Sequence, residues 1–220
     1  MTPAQALREK LEVSIFVDDL FGENCYLIRR RDTTSTLVVD PGLQLDRVRQ
    51  QIDAEGLTLE HILVTHGHID HVAGVPALHQ RTGAPIAMHA DDLAILDWAA
   101  IAEYPFVPAG FTSFSIDTAL THGMTLAFQD ISLRVLLTPG HTEGSVCFLF
   151  GLDCFAGDTL FPGGPGNTSG DEKRFAQIMK SLDEKLFVLP DETHVYPGHG
   201  SDTTIGSERP HLKEWRERGW

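Results

Sequence analysis

Basic residues are scarce in this chain: 17 Lys and Arg stand against 31 Asp and Glu, a formal net charge of −14 over 220 residues. That balance repels polyanions, whereas nucleic-acid binders carry a basic stripe for phosphate contacts, so no nucleic-acid partner is expected. Cysteine is scarce too. Cys25, Cys147 and Cys154 are odd in number, form no C-x-x-C pair and lie in or beside apolar strand-like runs, which suits reduced core thiols rather than a disulfide framework. No apolar run reaches the length of about 18 residues that a membrane-spanning helix needs, so no membrane partner is expected. Met1 to Lys10 lack the charged-then-apolar pattern of a secretory signal, and a cytoplasmic location is expected. Strong internal repeats, low-complexity tracts and linkers are also missing. A hydrophobic content of 42% is enough for one substantial core, so a single domain over residues 1–220 is expected.

What the chain does have is a dense cluster, Thr65-His66-Gly67-His68-Ile69-Asp70-His71, with four metal-binding side chains inside six residues. The preceding run His61-Ile62-Leu63-Val64 suits a buried strand, so the cluster sits where a strand gives way to a loop. Neutral imidazole and carboxylate are ligands that borderline cations such as Zn²⁺ accept, and the His-x-His-x-Asp-His spacing lets a turning loop aim them at two neighbouring points. Three later segments share this grammar. Ser132 to Leu137 runs into Thr138-Pro139-Gly140-His141; Cys154-Phe155-Ala156 leads into Gly157-Asp158-Thr159-Leu160-Phe161; and Thr193 to Tyr196 feeds Pro197-Gly198-His199-Gly200. Four strand-to-loop junctions thus deliver seven candidate ligands. Thr65, Thr138 and Thr159 are adjacent candidates for supporting those ligands, though β-propensity alone accounts for threonine near strand ends.

Elsewhere the pattern predicts a short capped helix over Ala4 to Lys10, and strands over Val13 to Val17, Cys25 to Ile28 and Thr36 to Val39, the last broken by Asp40-Pro41-Gly42. Helices are predicted over Leu43 to Glu55 and over Val72 to Arg81, with Gly83 as a stop signal. Strands dominate between Thr118 and Ala156, with turns at His122-Gly123 and Gly151. Phe175, Ile178, Met179 and Leu182 recur at helical spacing and read as a core-facing stripe. Strands whose helices return to cover two sheets favour a four-layer sandwich, helices outside and sheets inside.

The set His66, His68, Asp70, His71, His141, Asp158 and His199 resembles the full signature of the metallo-β-lactamase superfamily, from about Asp40 to Gly200. The resemblance implies an α/β fold (α+β in some schemes), the four-layer αββα sandwich of that superfamily. It implies two divalent metal ions per chain, Zn first, with Fe or Mn as alternatives. By motif position His66, His68 and His141 hold one ion, Asp70, His71 and His199 the other, and Asp158 bridges them. The intact set, with the phrase Gly157-Asp158-Thr159-Leu160-Phe161, is similar to the glyoxalase II-like hydrolase branch. That branch implies a hydroxide, bridging the ions, that attacks a thioester or related small ester, with Asp70 as the catalytic group that orients it and passes on its proton. The superfamily's nucleases carry a large inserted domain for which this chain has no room.

The substrate is expected to be a small molecule and the protein a monomer or homodimer. Longer glyoxalase II enzymes place a Lys and a Tyr in the loop after the bridging Asp to hold glutathione and add a C-terminal helical domain; here Asn167 and Ser169 occupy that loop, which argues against glutathione recognition. Asn167, Lys173 and Arg174 are the candidate substrate contacts, the two cations gripping a carboxylate from the start of the next helix or simply being solvated. Asp91 to Ala119 corresponds to a variable lid in the superfamily. Its Trp98, Tyr104, Phe106, Phe111 and Phe114 suit either an apolar wall for an acyl group or local loop packing. Trp215 and Trp220 are expected in packing, and His61, His79, His89, His122, His194 and His211 in ordinary structural roles. Two other enzymatic readings remain, a persulfide dioxygenase holding a single iron with His66, His141 and Asp158, and a lactonase. A non-catalytic binding protein on the same fold is disfavoured by the intact signature.

Overall fold

The computed structural model describes residues 9–108 and 111–219. The helix expected over Ala4 to Lys10 lies mostly outside the described residues, as does Trp220; Glu9 and Lys10 are in a turn. Residues 9–120 and 121–219 fall into two compact units.

In the first unit six strands form one sheet in the order β1 to β6: Leu11–Val17, Asn24–Arg30, Ser35–Val39, Thr58–Leu63, Ile86–Met88 and Thr118–Ala119. β1, β2 and β3 are antiparallel neighbours, and β3 to β6 run parallel. The central strands read as near-continuous apolar runs because parallel strands are buried on both faces. Helices α1 (Leu45–Ala54) and α3 (Val75–Thr82) lay Leu45, Val48, Ile52, Val75 and Leu78 onto Leu27, Val38, Ile62 and Ile86.

The helix expected over Val72 to Arg81 is broken. A short α2 (Ile69–Val72) ends before Gly74, whose N–H donates to Pro41 O at 2.8 Å. A Cβ at Gly74 would lie 2.7 Å from the carbonyl oxygens of both Pro41 and Gly42, so the chain there passes flush against another backbone segment. Gly83 closes α3 in the left-handed region, as its position predicts.

Because β3, β4 and β5 are parallel, the segments after Val39, Leu63 and Met88 leave one end of this sheet. Tyr26 of β2 sits opposite Val39 with the strands antiparallel, so the turn over residues 18–23 lies at that same end. Asp40, the cluster from Thr65 to His71, and the 3₁₀ turn Ala90–Ile95 are therefore neighbours by topology.

The second unit repeats the scheme with β7 (Thr125–Phe128), β8 (Ile131–Leu137), β9 (Val146–Phe150), β10 (Asp153–Gly157), β13 (His194–Pro197) and β14 (Thr203–Thr204), in the order β14-β13-β10-β9-β8-β7. A ribbon of β11 (Leu160–Phe161) and β12 (Gly164–Pro165) leads to α5 (Glu172–Ser181). α5 runs into a π turn, Leu182–Leu186, and α6 (Ile205–Glu208) and α7 (Leu212–Arg218) follow. Ile178, Met179 and Leu182 join Leu136, Cys147, Cys154, Val195 and Trp215 in one core, with Phe175 packed at its margin, so the predicted stripe faces inward. β8 and β10 each pair antiparallel with β9, and β10 is parallel to β13. The three segments bearing His141, Asp158 and His199 therefore leave one end of this sheet. All three cysteines are buried free thiols, as expected. No described helix is long and apolar enough to cross a membrane.

Candidate metal centre

In the first unit, Asp40 is the anchor of the histidine cluster. It is buried, with φ +52°, a left-handed conformation that Asp tolerates better than most residues. Its Oδ1 accepts from Thr65 N at 2.7 Å and its Oδ2 from Thr65 Oγ1 at 2.6 Å; His71 Nδ1 lies 3.0 Å from the same Oδ2. Thr65 Oγ1 also lies 3.0 Å from His66 Nδ1. Engaging Nδ1 of a ring fixes its orientation and turns Nε2 outward. Accordingly His71 Nε2 stands 3.6 Å from Asp70 Oδ2, and His66 Nε2 3.1 Å from His68 Nδ1. Asp40 comes within 4.8 Å of ligand atoms of His66 and His71. Its Oδ2 is shared by Thr65 and His71 and its Oδ1 takes the Thr65 amide, so the carboxylate orients the cluster from its inner side.

Behind Asp40 sits Glu23, fully buried, with Oε2 accepting from Gln44 Nε2 and Oε1 3.8 Å from His71 Nδ1. Burial pushes its carboxyl well above the usual carboxylate range, against the pull of the His71 imidazole, and the Asp40 charge adds to the rise. On the other side of the cluster, buried Asp92 accepts from Gly67 N at 2.8 Å and ties the segment after β5 to the histidine loop.

In the second unit, His141 Nδ1 lies 2.8 Å from the carbonyl oxygen of Asn167, leaving Nε2 3.4 Å from Asp158 Oδ2. His199 Nε2 is 3.7 Å from that same oxygen. The hydroxyls of Thr138 and Thr159 meet at 3.0 Å, linking the loops that carry His141 and Asp158. Of the three expected threonine supports, Thr65 thus bears directly on a ligand ring, while Thr138 and Thr159 bear on each other.

The candidate substrate contacts sit differently from one another. Asn167 holds His141 through its backbone carbonyl, while its Oδ1 accepts from Ser169 N at 2.7 Å. Arg174 directs its guanidinium back at the His141 loop, Nε donating to Gly140 O at 3.1 Å and Nη2 to His141 O. Lys173 is exposed on the first turn of α5. The remaining histidines have structural partners: His79 with Ala84 O, His89 with Asp91 N, His122 with Leu137 N, His194 with Asp202 and His211 with Glu214. His61 is half-buried, and burial lowers its pKa.

Four functional supports, Asp40, Glu23, Gln44 and Asp92, escape sequence reasoning. Only Asp40 carries a usable signal, since it follows a strand and precedes Pro-Gly, in the pattern of the four ligand junctions. Within each unit, imidazole nitrogens and carboxylate oxygens face one another, with the far edges of His66, His71 and His141 held by the protein, a donor set that fits a divalent borderline cation.

The metallo-beta-lactamase superfamily is the family whose model matches, over residues 18–199. The hydroxyacylglutathione hydrolase GloC of Haemophilus influenzae is 31% identical over 203 residues, covering 90% of this chain and 95% of its own length. A probable polyketide biosynthesis zinc-dependent hydrolase, BaeB of Bacillus velezensis, is 33% identical over 194 residues, covering 88% of this chain and 80% of its own. Among solved structures, ETHE1 from Myxococcus xanthus matches with a TM-score of 0.76 at 31% identity, covering 91% of this chain and 83% of that one.

Proposed function

The chain belongs to the metallo-beta-lactamase superfamily, and on that footing we propose that it is a dinuclear metal-dependent hydrolase acting on a thioester or related small ester. Membership and the donor set support a metal-binding hydrolase in general. Asp158 carries the finer, two-metal reading, because one oxygen of this carboxylate faces Nε2 of both His141 and His199, so that it would serve the ligand sets of both ions. In this reading His66, His68 and His141 hold one ion and Asp70, His71 and His199 the other, and residues 1–220 act as a single functional domain. The likeness to BaeB, a probable zinc-dependent hydrolase, favours zinc.

Bound divalent ions would supply hydroxide near neutral pH and polarise a carbonyl oxygen. The chain's own work is orientation and proton handling. Asp40 and Thr65 hold His71 and His66 by their inner edges, the Asn167 carbonyl does the same for His141, and in this reading Asp70 accepts the proton that ester hydrolysis releases. Arg174, spent on the Gly140 and His141 carbonyls, steadies a ligand loop instead of gripping substrate, which leaves the α5 start with only Lys173 to offer a glutathione carboxylate.

The test is elemental analysis of the purified, unsupplemented protein, joined to thioester hydrolysis measured with oxygen excluded. Two zinc ions per chain and oxygen-independent turnover are the expected result. The likeness to ETHE1 gives the dioxygenase reading its footing: a single iron per chain with oxygen consumption on a persulfide would replace the hydrolase. Turnover of lactones but not thioesters would keep the two-metal chemistry and change the substrate.

A further inference from the structure

The lid region divides into two aromatic groups with different surroundings. Trp98, Phe111 and Phe114 turn inward, with ring centroids of Trp98 and Phe114 5.0 Å apart, and pack on the core of the first unit. Tyr104 is exposed instead, and Phe106 is half-buried beside it. They stack on each other at 5.2 Å with an interplanar angle of 9°, and Phe21, from the turn between β1 and β2, meets Phe106 edge-on at 5.1 Å. Phe21 and Tyr104 are each 44% exposed, and neighbouring Leu20 is 59% exposed. Ile95, 47% exposed and in the same segment as Tyr104 and Phe106, lies against the histidine loop, where a Cβ on Gly67 would come within 3.1 Å of its Cγ1. These side chains come from two loops at the sheet end that carries His66 to His71. Apolar side chains clustered in the open beside polar chemistry mark a binding surface more often than chance exposure does.

Charge narrows what such a surface accepts. The chain contains no Lys or Arg between Arg81 and Arg134. In sequence the apolar group lies among Asp18, Asp19, Asp91, Asp97 and Glu103, and Arg47, the cation beside the Asp18–Asp19 turn, is engaged by the Val17 carbonyl, so an anionic group arriving here meets mainly carboxylates.

We propose that Phe21, Ile95, Tyr104 and Phe106 bind the acyl or aryl part of the substrate, and that this part is apolar and carries no negative charge. The proposal rests on the hydrolase reading and adds to it the substrate class. It places the reacting carbonyl at the histidine loop with its apolar tail over the aromatic pair.

Binding of unhydrolysable probes separates this proposal from the hydrolase reading. Thioether analogues of N-acetylcysteamine thioesters, with acyl parts from acetyl to octanoyl, are titrated calorimetrically into the metal-loaded protein, beside a matched series ending in a carboxylate. Affinity should rise about two- to fourfold per methylene as apolar area is buried, and the carboxylate-ended series should bind at least about tenfold more weakly at low salt. Phe106→Ser, and independently Tyr104→Ser, should flatten the chain-length dependence while leaving metal content unchanged. Affinity indifferent to chain length, or equal for the two series, overturns the proposal. If the analogues bind as expected but the matching thioesters are not hydrolysed, the hydrolase reading falls and the binding surface stands.

Discussion

Asp40 gathers the histidine cluster onto one buried carboxylate, which reaches Thr65 and His71 at once. Sequence reading sees it only as part of a strand-breaking Asp-Pro-Gly turn, because a carboxylate after a strand serves many purposes and nothing local says that Thr65 and His71 will fold back onto it. The candidate ligands stand out in the sequence, since metal binding demands particular residue types and the chain repeats them at four junctions. Replacing Asp40 by Ala strands the Thr65 amide and the His71 Nδ1–H in buried surroundings, at a cost of about 1–3 kcal/mol for each lost acceptor. The variant should lose several kcal/mol in a denaturant titration and bind less metal by mass spectrometry; stability and metal content equal to the parent protein would refute its anchoring role. Asp158→Ala, by contrast, should lower metal content from two ions to at most one and remove nearly all turnover, because both His141 and His199 face its carboxylate. His122→Ala is the control. That ring accepts from Leu137 N at an exposed site, so metal content and turnover should both be unchanged.

Among the elements, α5 is the one whose sequence says most and whose environment adds least. Its apolar stripe at Phe175, Ile178, Met179 and Leu182 is read correctly because burial of one helix face decides the fold of that segment. Asp171 caps it, accepting from Lys173 N at 2.8 Å and Arg174 N at 3.1 Å, and these backbone donors hold its carboxyl below the usual carboxylate range. A lowered folded-state pKa means stability that is present above the unfolded value, 3.8, and lost as pH falls through the folded one. Asp171→Ala should therefore lower the thermal midpoint by a few degrees near neutral pH, and the gap to the parent protein should close as acid titration protonates Asp171 in the folded state. A gap that persists at acid pH would show that the side chain acts otherwise than as an ionised cap. The break at Gly74 teaches the opposite lesson. Periodicity predicts one helix over Val72 to Arg81, yet the Gly74 N–H goes to Pro41 O, a contact made by a segment over thirty residues away that no local pattern contains.

The acidic character of the whole chain, which first set aside nucleic-acid partners, bears on the smaller substrate as well. A net charge of −14 is only a statement about solubility until its distribution is known, and here a stretch of more than fifty residues, Thr82 to Leu133, carries acids and no Lys or Arg. Two explanations of a preference for neutral substrates then separate by their salt dependence. If repulsion from surface carboxylates sets the preference, added salt must weaken it, because the screening length falls from about 30 Å at 0.01 M ionic strength to about 3 Å at 1 M. Apolar contact with Phe21, Tyr104 and Phe106 has no such dependence. Over that range kcat/KM for a carboxylate-ended thioester should rise several-fold towards the value for its neutral counterpart, while the neutral substrate changes little. Should both rates move together, salt is acting on the enzyme as a whole; should neither move, the discrimination lies in desolvating the carboxylate at the aromatic surface and not in the field of the chain.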